Sequence, residues 1–219
     1  MRQVRFKSTA DYATAEIRQL ILSGGLPPGA RLDQVELAKK LDVSRHPVRQ
    51  AIERLAERGF VTINPHRSAV VAEISSADME SLYVVRKALE PLAIREAFPA
   101  YDDALDRRAA ELHQAMQRAA DAMELDAFME SNRIFHIALY TPCRNTHLVR
   151  TAESLFDLSE RYQRTSLAQP GRMQRSNQDH AQMVEAIRMR DVERLIELIG
   201  QHNQLTKAAV DTKLNSRKA

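Results

Sequence analysis

The sequence predicts a mainly α protein in two unequal parts. Three helices and a β-hairpin occupy residues 1–75, an all-helical stretch fills 76–212, and a polar tail at 213–219 is expected to fray. Ala, Leu, Arg and Glu are abundant, aromatic residues make up 5% and Trp is absent, a balance that favours helix. Runs rich in β-branched residues occur only between Phe60 and Ile74. Beyond Ile74 the apolar residues recur at helical spacing and no strand is convincing.

The first helix covers about residues 8–23, with Ile17, Leu20 and Ile21 on one side, and the GGLPPG run at 24–29 ends it. Asp33 opens the second helix with Glu36 three residues on, a capping-box pattern, and Val35, Leu37, Ala38 and Leu41 follow. Leu41-Asp42-Val43 makes a short break, after which Ser44 is a good N-cap for a third helix that stops at Gly59. Phe60–Ile63 and Ala69–Glu73 read as strands, with Asn64–Ser68 between them as a hairpin tip. Six helices are expected after that, at about 77–97, 102–121, 124–140, 145–166, 173–190 and 191–210.

Hydrophobic residues at 44% and charged residues at 28% suit a folded globular chain and exclude wholesale disorder. No apolar run approaches the ~18 residues that span a bilayer, and the first residues lack the apolar stretch of an export signal. The single cysteine, Cys143, has no internal disulfide partner, so a cytoplasmic location without membrane association is expected. The net charge of +3 is unevenly spread. Residues 1–75 carry 12 Lys/Arg against 8 Asp/Glu, and the remainder 20 against 21, which points to a nucleic-acid face in the first third.

Two short helices joined by a three-residue turn match helix-turn-helix spacing. In the third helix Val48, Ala51, Ile52 and Leu55 form one apolar stripe, and Arg45, His46, Arg49, Gln50 and Glu53 lie opposite. Arg45 and Arg49 are four apart, so their guanidinium forks project together and can pair with guanine edges or phosphates. His66 and Arg67 at the hairpin tip suit a wing that touches the minor groove or backbone. The alternative, a merely solvated helix face, explains the arginines but not the cap, turn, stripe and wing together.

The stretch LPPGARLDQVELAKKLDVSRHPVRQAIERLAERGFV resembles the winged-helix domain of GntR-type bacterial repressors. Pro28, Gly29, Arg31, Leu32, Leu37, Ala38, Leu41, Val43, Ser44, Arg45, Pro47, Val48 and Arg49 carry the likeness. The resemblance implies that Arg31, Arg45 and Arg49 contact double-stranded DNA, with Ser44 at the start of the reading helix. His46 stands where Thr is common and Ser68 where the wing usually has Gly.

In the second part, polar residues fall on inward stripes. Asn132 and His136 lie among Leu125, Phe128, Phe135 and Leu139; His180 shares a side with Met183, Val184 and Ile187; His202 follows Leu195, Leu198 and Ile199. Buried polar groups are costly unless satisfied, and one metal ion could satisfy three histidines at once. The bland alternative is a set of separately hydrogen-bonded core histidines. Arg86 also sits inward, with Met79, Leu82, Tyr83, Leu89 and Ala93, and needs a partner such as Glu90. His113, His147, Arg95, Arg133 and Arg150 read as surface residues.

Residues 78–210 are similar to the FCD ligand-binding domain of the FadR subfamily, through LYVVRKALEPLAIREA at 82–97, NRIFHIALY at 132–140, Asn145, DHAQMVEAIRMRD at 179–191 and His202. That resemblance implies an antiparallel helical bundle in which Asn132, His136, His180 and His202 bind a divalent metal. Zn²⁺ is the first candidate, and Ni²⁺ or Mn²⁺ are alternatives. Six helices match the shorter, VanR-like branch. Asn132 replaces the more usual Asp, so an all-neutral ligand set would bind metal less tightly but attract an anionic effector more strongly.

The expected protein is a metabolite-responsive regulator, a repressor binding a palindromic operator as a homodimer. A small carboxylate would anchor on the metal, with Arg86 and Tyr83 as effector contacts. A metal-free regulator with a larger apolar effector is one alternative. A helical-bundle metalloenzyme is another, but His136, His180 and His202 are preceded at −3 by Arg133, Asn177 and Ile199, so no Glu-x-x-His motif exists. No phosphate loop or nucleophile elbow appears either, and no enzymatic activity is expected.

Overall fold

A computed structural model describes residues 8–64 and 68–216. His66 and Arg67 lie outside the described residues. The chain forms two compact units that divide between Ile74 and Ser75.

The first unit contains α1 (Thr9–Leu22), α2 (Gln34–Lys40), α3 (Arg45–Glu57), β1 (Val61–Ile63) and β2 (Ala69–Val71). Asp33 caps α2, its carboxylate accepting from the Val35 and Glu36 amides at 2.7 and 3.1 Å. The turn into α3 closes through Asp42 at φ 53°, a left-handed position that Asp tolerates better than most residues, with the Val43 amide donating to the Ala38 carbonyl. Ile17, Leu37, Val48, Ala51, Ile52, Leu55 and Phe60 form the core, so the predicted stripe of α3 faces inward.

The hairpin is antiparallel in the register Val61↔Val71, Thr62↔Val70 and Ile63↔Ala69. It is wider than the sequence suggested. The Leu32 amide donates to Ala69, the Val71 amide to Ala30 and the Gly29 amide to Val71, and Arg31 bridges Val70. The segment before α2 thus lies along β2 as a third edge.

The second unit holds six helices among the described residues: α4 (Ser76–Ala97), α5 (Asp103–Asp121), α6 (Leu125–Tyr140), α7 (Thr146–Leu167), α8 (Arg172–Arg188) and α9 (Val192–Asn215). The last runs five residues past the expected end at 210. A single 3₁₀ turn, Phe98–Ala100, follows α4. Asp102, Asn145 and Asp191 cap α5, α7 and α9 through their side chains. The helices α5 and α8 end on Met123 at φ 58° and Arg190 at φ 56°, where glycine is usual. These tight ends fold α6 back on α5 and α9 back on α8, and both pairs pack together. Phe128, Phe135, Leu139, Met116, Met183, Ile187 and Leu195 build the apolar core between them. No helix among the described residues is long and apolar enough to cross a membrane.

Candidate metal centre and DNA-reading head

In the first unit, Arg45, His46 and Arg49 are exposed on the opening turns of α3, opposite the buried stripe. Ser44 occupies the N-cap position with extended backbone, but its hydroxyl makes no capping hydrogen bond, which corrects the expectation and leaves the exposed group free. Arg49 Nη2 stands 3.3 Å from His46 Nδ1. A guanidinium only donates, so Nδ1 accepts and the proton of a neutral His46 sits on Nε2. Asp33 is held below the usual carboxylate range, first by the Glu36 and Val35 amides and then by the charges of Arg31 and Arg45. Both arginines therefore stand within electrostatic reach of one exposed carboxylate, one carried by the wing edge and the other by α3. The wing tip closes through the Asn64 amide and the Ser68 carbonyl at 2.9 Å, and through Asn64 Nδ2 and Ser68 Oγ at 3.3 Å.

In the second unit, α6, α8 and α9 bring His136, His180 and His202 together, at 4%, 0% and 7% exposure. One ring nitrogen from each lies within 4.8 Å of the others. His180 Nε2 is 3.2 Å from His136 Nε2. Two nitrogens on a tetrahedral zinc at ~2.0–2.1 Å stand about 3.4 Å apart, so this pair is already at ligand spacing. Burial, then the nearby His202, pushes the pKa values of His136 and His180 well below the ordinary histidine value. Both are neutral at physiological pH, with lone pairs open to a metal.

Asn132 lies one helical turn before His136 and is 3% exposed. Its Nδ2 donates to Gln163 Oε1 at 3.0 Å, while its Oδ1 is buried without a hydrogen-bond partner. Such an orphaned oxygen, one helical turn from His136, suits a divalent cation. His202 Nδ1 lies 3.2 Å from Asp179 Oδ2, a contact that orients the ring and leaves Nε2 for coordination. Phe135 packs edge-on against His180 at 5.0 Å and Phe156 lies 5.1 Å from His136, so these two histidines have apolar rings against them.

Arg86 is 1% exposed. Its Nε donates to Glu90 Oε1 at 2.7 Å and its Nη1 to Ser159 Oγ at 2.9 Å. Its guanidinium covers the rings of Tyr83 at 4.8 Å and Phe156 at 5.1 Å. Burial alone would lower the arginine's pKa, but Glu90 outweighs it and holds the pKa above normal. Glu90 is thus the internal partner that the sequence offered as one alternative. Tyr83 Oη sits close to Arg86 and Ser159 without a well-formed hydrogen bond to either, and Tyr140 Oη is also buried and unpartnered. Burial raises the pKa of both phenols, so both remain protonated donors.

Other surface expectations divide. His147 is exposed, but His113 is half-buried, and burial lowers its pKa. Arg133 is partly buried and forms a two-point pair with Asp157, at 2.7 and 3.2 Å. Sequence reasoning passed over Asp179, Gln163, Ser159 and Tyr140. The spacing Phe156, Ser159, Gln163, Ser166 marks a polar buried face of α7 and was the available signal.

Residues 9–71 match the gntR family of bacterial regulatory proteins and residues 81–205 match the FCD domain. The chain is 29% identical over 190 residues to the HTH-type transcriptional repressor RspR of Escherichia coli, covering 86% of this chain and 82% of that one. It is 26% identical over 147 residues to the uncharacterized regulator YdhC of Bacillus subtilis, covering 65% of this chain and 64%, under two thirds, of that protein's length. The solved structure of E. coli McbR/YncC shares the fold, with a TM-score of 0.82 at 21% identity over 95% of this chain and all of that one. These relatives are transcriptional regulators rather than enzymes. With a GntR helix-turn-helix at 9–71 and an FCD domain spanning more than half of its length, the chain belongs to the GntR family of bacterial regulatory proteins.

Proposed function

We propose that this protein is a metabolite-responsive DNA-binding transcription regulator, a repressor that holds a palindromic operator as a homodimer. A small carboxylate binding at a divalent metal in the FCD domain changes its grip on DNA. The convergence of His136, His180 and His202 carries this reading, since three imidazoles and an unpaired amide oxygen form a donor set suited to Zn²⁺, with Ni²⁺ or Mn²⁺ as alternatives. A metal held by neutral ligands keeps its positive charge and draws an anion to an open position. The unpartnered hydroxyls of Tyr83 and Tyr140 then donate to the effector beside Arg86, whose charge Glu90 balances so that the guanidinium acts as a hydrogen-bond donor rather than as net charge.

On the DNA side, Arg31, Ser44, Arg45, His46 and Arg49 read the duplex, the first turns of α3 lying in the major groove. His66 and Arg67 act from the wing. A palindromic site calls for two reading heads, and the exposed Val84, Val85 and Leu92 on α4 give a second copy an apolar face to cover.

One contact favours the metal-free alternative: the Nε2 atoms of His136 and His180, at 3.2 Å, can share a proton as a hydrogen bond. Elemental analysis of purified protein separates the two readings. The metal reading expects about one Zn²⁺, Ni²⁺ or Mn²⁺ per chain, lost in His136→Ala and His180→Ala. Metal-free wild type would sink it and leave the DNA reading standing. Sedimentation and anisotropy on duplexes selected from a random pool test the dimer and the operator.

A further inference from the structure

The donor directions around Ser159 are fixed by chemistry. Arg86 Nη1 can only donate, so Ser159 Oγ accepts from it at 2.9 Å. The Phe156 carbonyl can only accept, so the single Ser159 hydroxyl proton goes there, at 2.6 Å. Ser159 has no proton left for Gln163. The Gln163 amide, 2.7 Å away, must therefore present Nε2 to Ser159 and Oε1 to its other neighbour. That neighbour is Asn132, which must in turn present Nδ2, at 3.0 Å. Asn132 Oδ1 is left as the one free end of the relay, buried and unpaired. Every member is nine-tenths buried or more, so water does not scramble the order.

We propose that Ser159 and Gln163 are positioning residues for the metal centre, setting which atom of Asn132 is offered as ligand. The inference rests on the metal reading above. An amide has one ligating oxygen and one nitrogen that repels a cation, so a neutral Asn ligand needs its orientation imposed from outside. A carboxylate has no such need, because either oxygen ligates. Without the Ser159 acceptor, Gln163 is free to turn over and donate Nε2 to Asn132 Oδ1, which takes the oxygen away from the metal.

The test is a thermodynamic cycle read by Zn²⁺ affinity, measured against a competing chelator on the full chain. Ser159→Ala should weaken Zn²⁺ binding about 10–100-fold, the range for outer-shell partners of ligands. Asn132→Asp should bind Zn²⁺ well, and adding Ser159→Ala to it should change affinity less than about threefold. Gln163→Met, which keeps the length and removes both hydrogen bonds, gives the same contrast if Ser159→Ala does not fold. A merely structural role for Ser159 would weaken binding equally in the wild-type and Asn132→Asp backgrounds, which overturns the positioning role alone. Wild type that binds no Zn²⁺ at all overturns both this role and the metal reading.

Discussion

The two units use polar residues in opposite ways. On α3 the charges of Arg45 and Arg49 stand in solvent, where they are cheap to keep and idle until a phosphate or base edge arrives. In the bundle, Arg86, Glu90, Asn132, His136, Ser159, Gln163, His180 and His202 are buried, and nearly every one is tied to another. The head can therefore lose a side chain with little effect on its fold, whereas the bundle cannot lose one partner without stranding the next. Function is separable from stability in the first unit and entangled with it in the second.

The sharpest contrast is between two ion pairs. Glu90→Gln strands the guanidinium of Arg86 in the core and should lower stability by roughly 3–5 kcal/mol, seen as a falling denaturation midpoint. The double replacement Arg86→Met with Glu90→Leu should recover most of that loss. Arg54→Ala breaks the exposed pair with Asp11 at 2.6 Å, and should leave the denaturation midpoint nearly unchanged. Equal losses at the two pairs would erase the distinction between the units.

DNA binding should fail without any loss of folding. Arg45→Ala and Arg49→Ala should each weaken operator binding by about 1–3 kcal/mol, with metal content unchanged. A double variant that still discriminates operator from random duplex would move the reading surface elsewhere.

Acid provides a third probe. His136 and His180 have folded-state pKa values well below 6.5, so the folded bundle refuses protons that the unfolded chain accepts. Their contribution to stability is present in full above about pH 6.5 and is lost as pH falls below it, by up to ~1.4 kcal/mol per pH unit for each residue. Thermal melts of chelator-treated protein from pH 8 to 5 should reveal this slope, and His180→Phe should remove about half of it. A flat profile would mean that these imidazoles are not held neutral.

A further probe within the bundle is Asn132→Asp, which adds a negative charge beside the three histidines. It should tighten Zn²⁺ binding by about tenfold, ~1.4 kcal/mol, and weaken attraction for an anionic effector. Calorimetric titration that finds no tightening would show that the neutral amide is not what limits affinity.

Much of this architecture was legible from local signals. The cap at Asp33, the stripe Val48–Ala51–Ile52–Leu55 and the strand-like runs after Gly59 each follow from short-range chemistry, and the structure has them where expected. The three histidines stood out because a polar group on an apolar stripe contradicts its neighbours. Ser159 and Gln163 did not, since small or neutral polar residues are common on any helix and only packing reveals that theirs face inward. The third edge of the wing was hidden for another reason. Ala30–Leu32 is short and carries no strand pattern, and its pairing is dictated by β2, about forty residues away in sequence.

That pairing has a practical consequence. Arg31 is located by ladder hydrogen bonds to Ala69 and Val71 and not by the length of chain behind it. Gly24, with nothing within 4 Å of where a side chain would begin, lies in open space upstream. A short peptide tag or fluorophore-bearing insert placed there would lengthen the loop while the guanidinium kept its address, making this turn a handle for following the protein on its target.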